Sequence, residues 1–252
     1  MRKLISIGII FLLLLSLTGC NKEKEITKNN YLELNLMQLS EYIEKNIENM
    51  NKEDGAKLLL HFENLQKIEI VNYQNKNTKE FSEELKKVGY KLETAEGDLF
   101  PVIDYSFYNN YVGYVTEDIK EYFTIMTRES EQVPAKDAAL VIDKEEIFKR
   151  ALDQEKFLVN HPTSERKEEV ELLFSKYIYF IYYGLDNTPL FDYYSEKMKK
   201  ENVTKYKKVI EENPESSLIK DLSLFMDILE RNNYALDNTS KEYREAVAPG
   251  LG

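Results

Sequence analysis

The chain has 252 residues, 31% of them charged, a formal net charge of −11 and one cysteine. That acidic balance disfavours adhesion to phosphate backbones or anionic headgroups, so nucleic acid is not an expected partner. A single thiol rules out an internal disulfide framework and a cysteine-rich metal site, leaving a hydrophobic core, which a chain of this length is able to build, as the basis of folding.

The first segment, residues 1–19, opens with Arg2 and Lys3 and continues as an apolar run from Leu4 to Leu17, broken by Ser6, Gly8 and Ser16. The run is shorter than the roughly 20 residues that a spanning helix needs, and a basic start before a short apolar stretch is the layout of an export signal. It ends in Leu17-Thr18-Gly19-Cys20, which resembles the lipobox of bacterial lipoproteins. The resemblance implies that Leu17, Thr18 and Gly19 are recognised by a dedicated signal peptidase. Residues 1–19 are then removed, and the Cys20 thiol carries a diacylglyceryl group with palmitate-type chains. Two acyl chains give a stable anchorage that one does not. The mature protein is therefore expected outside the cytoplasm, held to the cell membrane by lipid on Cys20. The resemblance covers residues 1–20 only.

Residues 20–33 read as the lipidated cysteine and a polar tether, "NKEKEITKNN" over 21–30. Ten extended residues reach roughly 35 Å. From 34 to 246 the pattern is helical. Leu36, Leu39, Ile43, Ile47 and Met50 share one helical face, as do Phe81, Leu85, Val88 and Leu92. Ile119, Tyr122, Phe123 and Met126 form another, and Leu218, Leu222, Phe225, Met226 and Leu229 a fourth; polar residues fill the intervening positions. Asn77 with Glu80 and Asp143 with Glu146 have capping-box spacing, and Thr188-Pro189 and Asn213-Pro214 place proline at a first helical position. The short runs "KIEIVNY" (67–73) and "AALVID" (138–143) fit a strand or a helix end. The expected fold class is all-α, an irregular multi-helix bundle of about eight or nine helices. A duplicated helical-hairpin array is the second arrangement. A shift of 71 residues lays Tyr108, Tyr111, Gly113 and Tyr122 on Tyr179, Tyr182, Gly184 and Tyr193, with units about 101–160 and 172–231. The tail, 247–252, has little to pack against and is expected to be disordered.

Catalytic signatures are sparse. His61 follows three leucines and reads as a core-edge histidine, whereas His161 sits in the turn "VNHPTSER". Neither belongs to a two-histidine metal motif, and no nucleophile elbow, glycine-rich phosphate loop, dinucleotide fingerprint or calcium loop occurs, so no metal and no cofactor is expected. Glu96, Asp98 and Asp104 are acids beside apolar residues and the candidates for carboxylate chemistry; capping and solubilising a loop is their plainer role.

Tyrosine is the unusual residue, with 18 copies against no tryptophan. The stretches "DYSFYNNYVGY" (104–114) and "KYIYFIYYGLDNTPLFDYY" (176–194) concentrate it, and "YIYFIYY" is apolar or aromatic all round a helix, as a central element would be. Buried hydroxyls need partners, and Ser106, Asn109, Asn110 and Ser175 are the expected ones. A ligand cleft would use Tyr105, Tyr108, Tyr111, Tyr179, Tyr182 and Asn109; core packing is the favoured role for these rings. Three function classes follow. The leading one is a non-catalytic helical binding module at the bacterial cell envelope, partnered with an envelope protein or cell-wall component. The alternatives are a small-ligand-binding lipoprotein with a tyrosine-lined cleft and a carboxylate-dependent cell-wall-degrading enzyme.

Overall fold

A computed structural model describes residues 30–74, 82–95 and 98–249. The lipobox residues Leu17, Thr18, Gly19 and Cys20, most of the tether, the Asn77–Glu80 pair, Phe81, Glu96 and the last three residues lie outside the described residues.

The described chain is mainly α-helical, as its periodicity predicts. A 3-10 turn, Asn30–Glu33, leads into α1 (Leu36–Asn46) and α2 (Lys52–Gln74), followed by the short α3 (Ser82–Lys87). An antiparallel hairpin, β1 (Tyr90–Ala95) and β2 (Asp98–Ile103), comes next, then 3-10 segments at Tyr105–Asn110 and Val112–Tyr114, and α4 (Glu117–Glu131). A two-residue-strand hairpin, β3 (Ala135–Lys136) and β4 (Ala139–Leu140), precedes α5 (Lys144–Asn160) and α6 (Lys167–Tyr182). A second such hairpin, β5 (Gly184–Leu185) and β6 (Thr188–Pro189), leads to α7 (Lys200–Glu212), α8 (Ser217–Arg231) and α9 (Asn238–Val247).

Two apolar clusters form the interior. The first gathers Leu39 and Ile43 of α1, Leu58, Leu59 and Phe62 of α2, Tyr108, and Tyr122 and Phe123 of α4. The second gathers Phe148 and Ala151 of α5, Phe180, Ile181 and Tyr182 of α6, Tyr206 of α7, and Leu222, Phe225 and Leu229 of α8. The α5–α6 hairpin serves both, because Phe157 and Val170 near its turn belong to the first cluster while its far end fills the second. Each fully buried Leu or Phe contributes about 1.5–3 kcal/mol, so this hairpin is the element whose loss both clusters would feel.

Several local expectations change. Leu92 is not on a helix with Leu85 and Val88: Gly89, at φ +72°, ends that helical segment and starts β1, where Leu92 pairs with Pro101. "KIEIVNY" is the last part of α2, and "AALVID" contributes only the two residues of β4 to a sheet. Thr188-Pro189 is a strand, not a helix start, since the chain reverses after Gly184 (φ +75°) and Pro189 needs no N–H on the edge of a two-stranded pair. Asn213 closes α7 rather than opening α8, which is capped by Ser216 Oγ accepting from Ile219 N at 3.1 Å. Asp143 stands at the start of α5, but its side chain caps nothing, and Glu146 turns instead to Arg150. The 71-residue shift pairs unlike settings, with Tyr108 on a 3-10 segment against Tyr179 inside α6, and buried Tyr122 against exposed Tyr193.

Gly55 fixes how closely α2 approaches the second 3-10 segment, because a Cβ there would fall inside the van der Waals shell of the Tyr114 carbonyl. Gly113 faces open space. The expected outcome is that Gly55→Ala loses about 1–3 kcal/mol through overpacking, read as a lowered urea midpoint, while Gly113→Ala stays within about 0.5 kcal/mol.

Candidate functional site

The tyrosine-rich stretch 104–114 folds onto α2 and meets two polar residues on that helix's inner face. Glu63 is fully enclosed, at 0% exposure. Its Oε1 accepts from the Tyr105 hydroxyl at 2.7 Å, the Tyr122 hydroxyl at 2.5 Å and Lys67 Nζ at 2.8 Å, and its Oε2 accepts from Arg166 Nη2 at 2.7 Å. Burial pushes the Glu63 carboxyl up, but the charges of Arg166 and Lys67 and the hydrogen bonds from Lys67 and Tyr122 outweigh it, so the group lies below its ordinary value. Burial, then the neighbouring negative charge, raises the Tyr105 hydroxyl. One turn on, Gln66 Oε1 accepts from the Tyr108 hydroxyl at 2.5 Å, Gln66 Nε2 donates to the Val88 carbonyl at 2.7 Å, and the Gln66 carbonyl accepts from Tyr90 at 2.6 Å.

A second polar node joins α4, α5 and α6. Arg150 donates through Nε to Glu146 at 2.8 Å and through Nη1 to Glu129 at 3.2 Å and the Gln132 carbonyl at 2.9 Å. The Tyr177 hydroxyl donates to Glu129 Oε1 at 2.6 Å. Burial raises the Glu129 carboxyl, and the bonds from Tyr177 and Arg150 oppose it without cancelling it. Each acid is enclosed by donors of the protein itself, which suits a structural role.

The expected hydroxyl partners turn elsewhere. Ser106 Oγ bonds Asp104, Asn110 Nδ2 the Phe107 carbonyl, and Ser175 Oγ the Glu171 carbonyl. Asn109, exposed, accepts from Thr127 Oγ1 at 3.4 Å. Tyr111 packs its ring near Phe107, with centroids 5.3 Å apart. Tyr179 stacks on Tyr183 at the surface of α6, at 4.7 Å, and Tyr182 is buried against Phe225 with no partner for its hydroxyl. The cavities of 240–390 Å³ beside Lys144, Tyr73, Thr124 and Lys149 are lined by none of Tyr105, Tyr108, Tyr111, Tyr179 and Tyr182. Asp98 begins β2 exposed, and Asp104 caps the 3-10 segment through Ser106 N. His61 lies half-buried near Tyr31, while His161 Nε2 is 3.1 Å from Glu121 Oε2.

All 18 tyrosines are described, and only Tyr193 and Tyr194 are exposed, at 86% and 92%. They occupy a tight turn between Phe191 and Met198, which pair as an antiparallel bridge. Asp192 Oδ1 accepts from Tyr194 N at 3.1 Å and from Ser195 N and Ser195 Oγ at 2.8 Å, and Glu196 N donates back to the Asp192 carbonyl at 2.9 Å. Glu196, at φ +50°, then ties the turn to the α8–α9 loop: its carbonyl accepts from Leu236 N at 2.9 Å, and its carboxylate holds Lys241 at 2.7 Å. Two tyrosine rings, 5.3 Å apart and nearly perpendicular, therefore project from an ordered backbone. Aromatic rings on a fixed backbone offer large contact area with few rotamers to freeze on binding.

No protein-family model matches the chain, and no curated protein or solved structure matches it.

The lowered Glu63 pKa carries a pH signature. A carboxyl held below its unfolded value contributes stability that is present above that value and lost as pH falls through the folded one. Replacing Glu63 by Gln leaves buried donors short of an acceptor, costing about 3–5 kcal/mol near neutrality. In urea titrations from about pH 7 to about pH 3, the gap between the wild-type and Glu63→Gln proteins should narrow as pH falls; Glu129, with the opposite shift, is common to both and leaves the gap unchanged.

Proposed function

We propose that the protein is an extracytoplasmic lipoprotein, anchored to the cell membrane through acylated Cys20, whose helical body is a non-catalytic binding module for another envelope protein or a cell-wall component. The observation that carries the binding role is the Tyr193–Tyr194 pair, the sole exposed tyrosines of an aromatic-rich chain, mounted on a turn braced by Asp192 and Glu196. Clustered aromatic side chains are the residues on which association energy concentrates. The lipobox-like Leu17-Thr18-Gly19-Cys20, behind a basic start and an apolar run, supports the address. The polar residues 21–29 that follow would hold this face clear of the headgroups.

Two outcomes test the reading. Cys20→Ser should abolish incorporation of an alkyne-tagged palmitate and move the protein out of the membrane fraction. A soluble chain from residue 20 with Cys20→Ser should sediment saturably with purified envelopes of the producing bacterium, and adding Tyr193→Ala and Tyr194→Ala should weaken it about tenfold or more. Non-saturable sedimentation, or sedimentation indifferent to both tyrosines, overturns the binding role.

A further inference from the structure

The β3–β4 and β5–β6 hairpins lean on one another, with Thr188 Oγ1 accepting from Leu140 N at 2.8 Å and Asn187 N donating to the Ala138 carbonyl at 2.9 Å. Between this wall and the first turns of α5 and α7 lies a cavity of about 360 Å³, within the range of small-molecule sites. Three lysines line it: Lys144 at the start of α5, Lys199 just ahead of α7, and Lys205 one turn into α7. The N-cap residues Asp143 and Lys199 make no side-chain cap, and the positive ends of the two helix dipoles add potential at the same place, although Asn202 N already donates to the Lys199 carbonyl at 2.9 Å.

Lys205 pairs with Glu145 at 2.8 Å. Neither the half-buried Lys144 ammonium nor the exposed Lys199 ammonium has a hydrogen bond or ion pair among the described residues, although Lys199 acts on Asp192 at longer range. Burial, then the charge of Lys205 and, less strongly, of Lys199, lowers the Lys144 ammonium below its ordinary value, with Glu201 and Glu145 opposing the shift without cancelling it. Glu201 and Glu145 act on the Lys144 ammonium, but no carboxylate comes within ion-pair distance of it, so its hydrogen-bonding capacity is open to a ligand. The cavity also presents Asn202, only 4% exposed, whose side chain makes a single long donation of 3.4 Å to the Leu190 carbonyl. Asp143 and Glu201 line it too, as acceptors.

We propose that this cavity binds a phosphate ester of a small polyol, with Lys144, Lys199 and the two helix starts holding the phosphate and Asp143, Glu201 and Asn202 taking the hydroxyls. A bare inorganic anion would leave much of the volume and both carboxylates unused, and a neutral sugar would leave Lys144 unpaired.

The test uses the soluble chain from residue 20 with Cys20→Ser, titrated calorimetrically with glucose 1-phosphate, glycerol 1-phosphate, inorganic phosphate and glucose. The expected result is saturable binding of at least one ester, weaker at higher salt, with inorganic phosphate and glucose each about tenfold weaker or silent. Lys144→Gln and, separately, the exposed Lys199→Gln should each weaken ester binding about tenfold; Lys199→Gln removes no buried contact and keeps the test independent of folding at Lys144. No ester binding at millimolar concentration, phosphate binding as tight as the ester, or unchanged affinity in Lys199→Gln overturns the proposal. The Tyr193→Ala, Tyr194→Ala protein should bind the ester normally, so this site and the tyrosine turn stand or fall separately.

Discussion

One carboxylate organises the first half of the molecule. Glu63 sits in the interior where an unpaired charge would cost several kcal/mol even after relaxation, and the chain meets that demand with donors from four places: its own helix through Lys67, the 3-10 segment through Tyr105, α4 through Tyr122, and the α5–α6 turn through Arg166. The last of these lies 103 residues away in sequence. Because both ends of the Glu63–Arg166 pair are enclosed, neither can move without stranding the other, and the hairpin that serves both apolar clusters is thereby fixed on α2. Gln66 repeats the device for Tyr90, Tyr108 and the turn at Gly89, where a Cβ would press on its own Nε2.

This explains the tyrosines. A helical interior has few spare backbone acceptors, since helices use their own. Tyrosine is admissible there only where a side-chain acceptor such as Glu63, Gln66 or Glu129 stands opposite, or where a carbonyl is free, as Ile181 is for Tyr206 at 2.6 Å. Tyr182 is the exception, packed without a partner for its hydroxyl.

The helix faces were legible in the sequence because burial of an apolar stripe leaves a three- and four-residue spacing, which α1, α4 and α8 follow. Hairpins were not, because β3 to β6 are two residues long and the turn at Gly89 interrupts a spacing that reads as helix. The polar nodes were missed for a related reason: Glu63 and Gln66 follow Leu59 by four and seven residues, so they occupy apolar-face positions of α2, and that spacing was the available signal. Tyr193 and Tyr194 look like their buried neighbours in composition; their exposure follows from Asp192, whose side chain closes a turn where the preceding pattern would continue a core. The lysines of the cavity come from separate stretches that only the fold brings together.

The tyrosine turn and the lysine-lined cavity both flank the chain entering α7, so the surface chemistry of the molecule concentrates at the far end of the α5–α6 hairpin from Arg166. That arrangement depends on the hairpin being held by its turn. The most direct measurement is a double-mutant cycle between Glu63→Gln and Arg166→Gln, unfolded by urea at neutral pH in the soluble chain from residue 20. The buried pair predicts a coupling of about 1.5 kcal/mol or more; single losses that sum to the double loss within about 0.5 kcal/mol would contradict it.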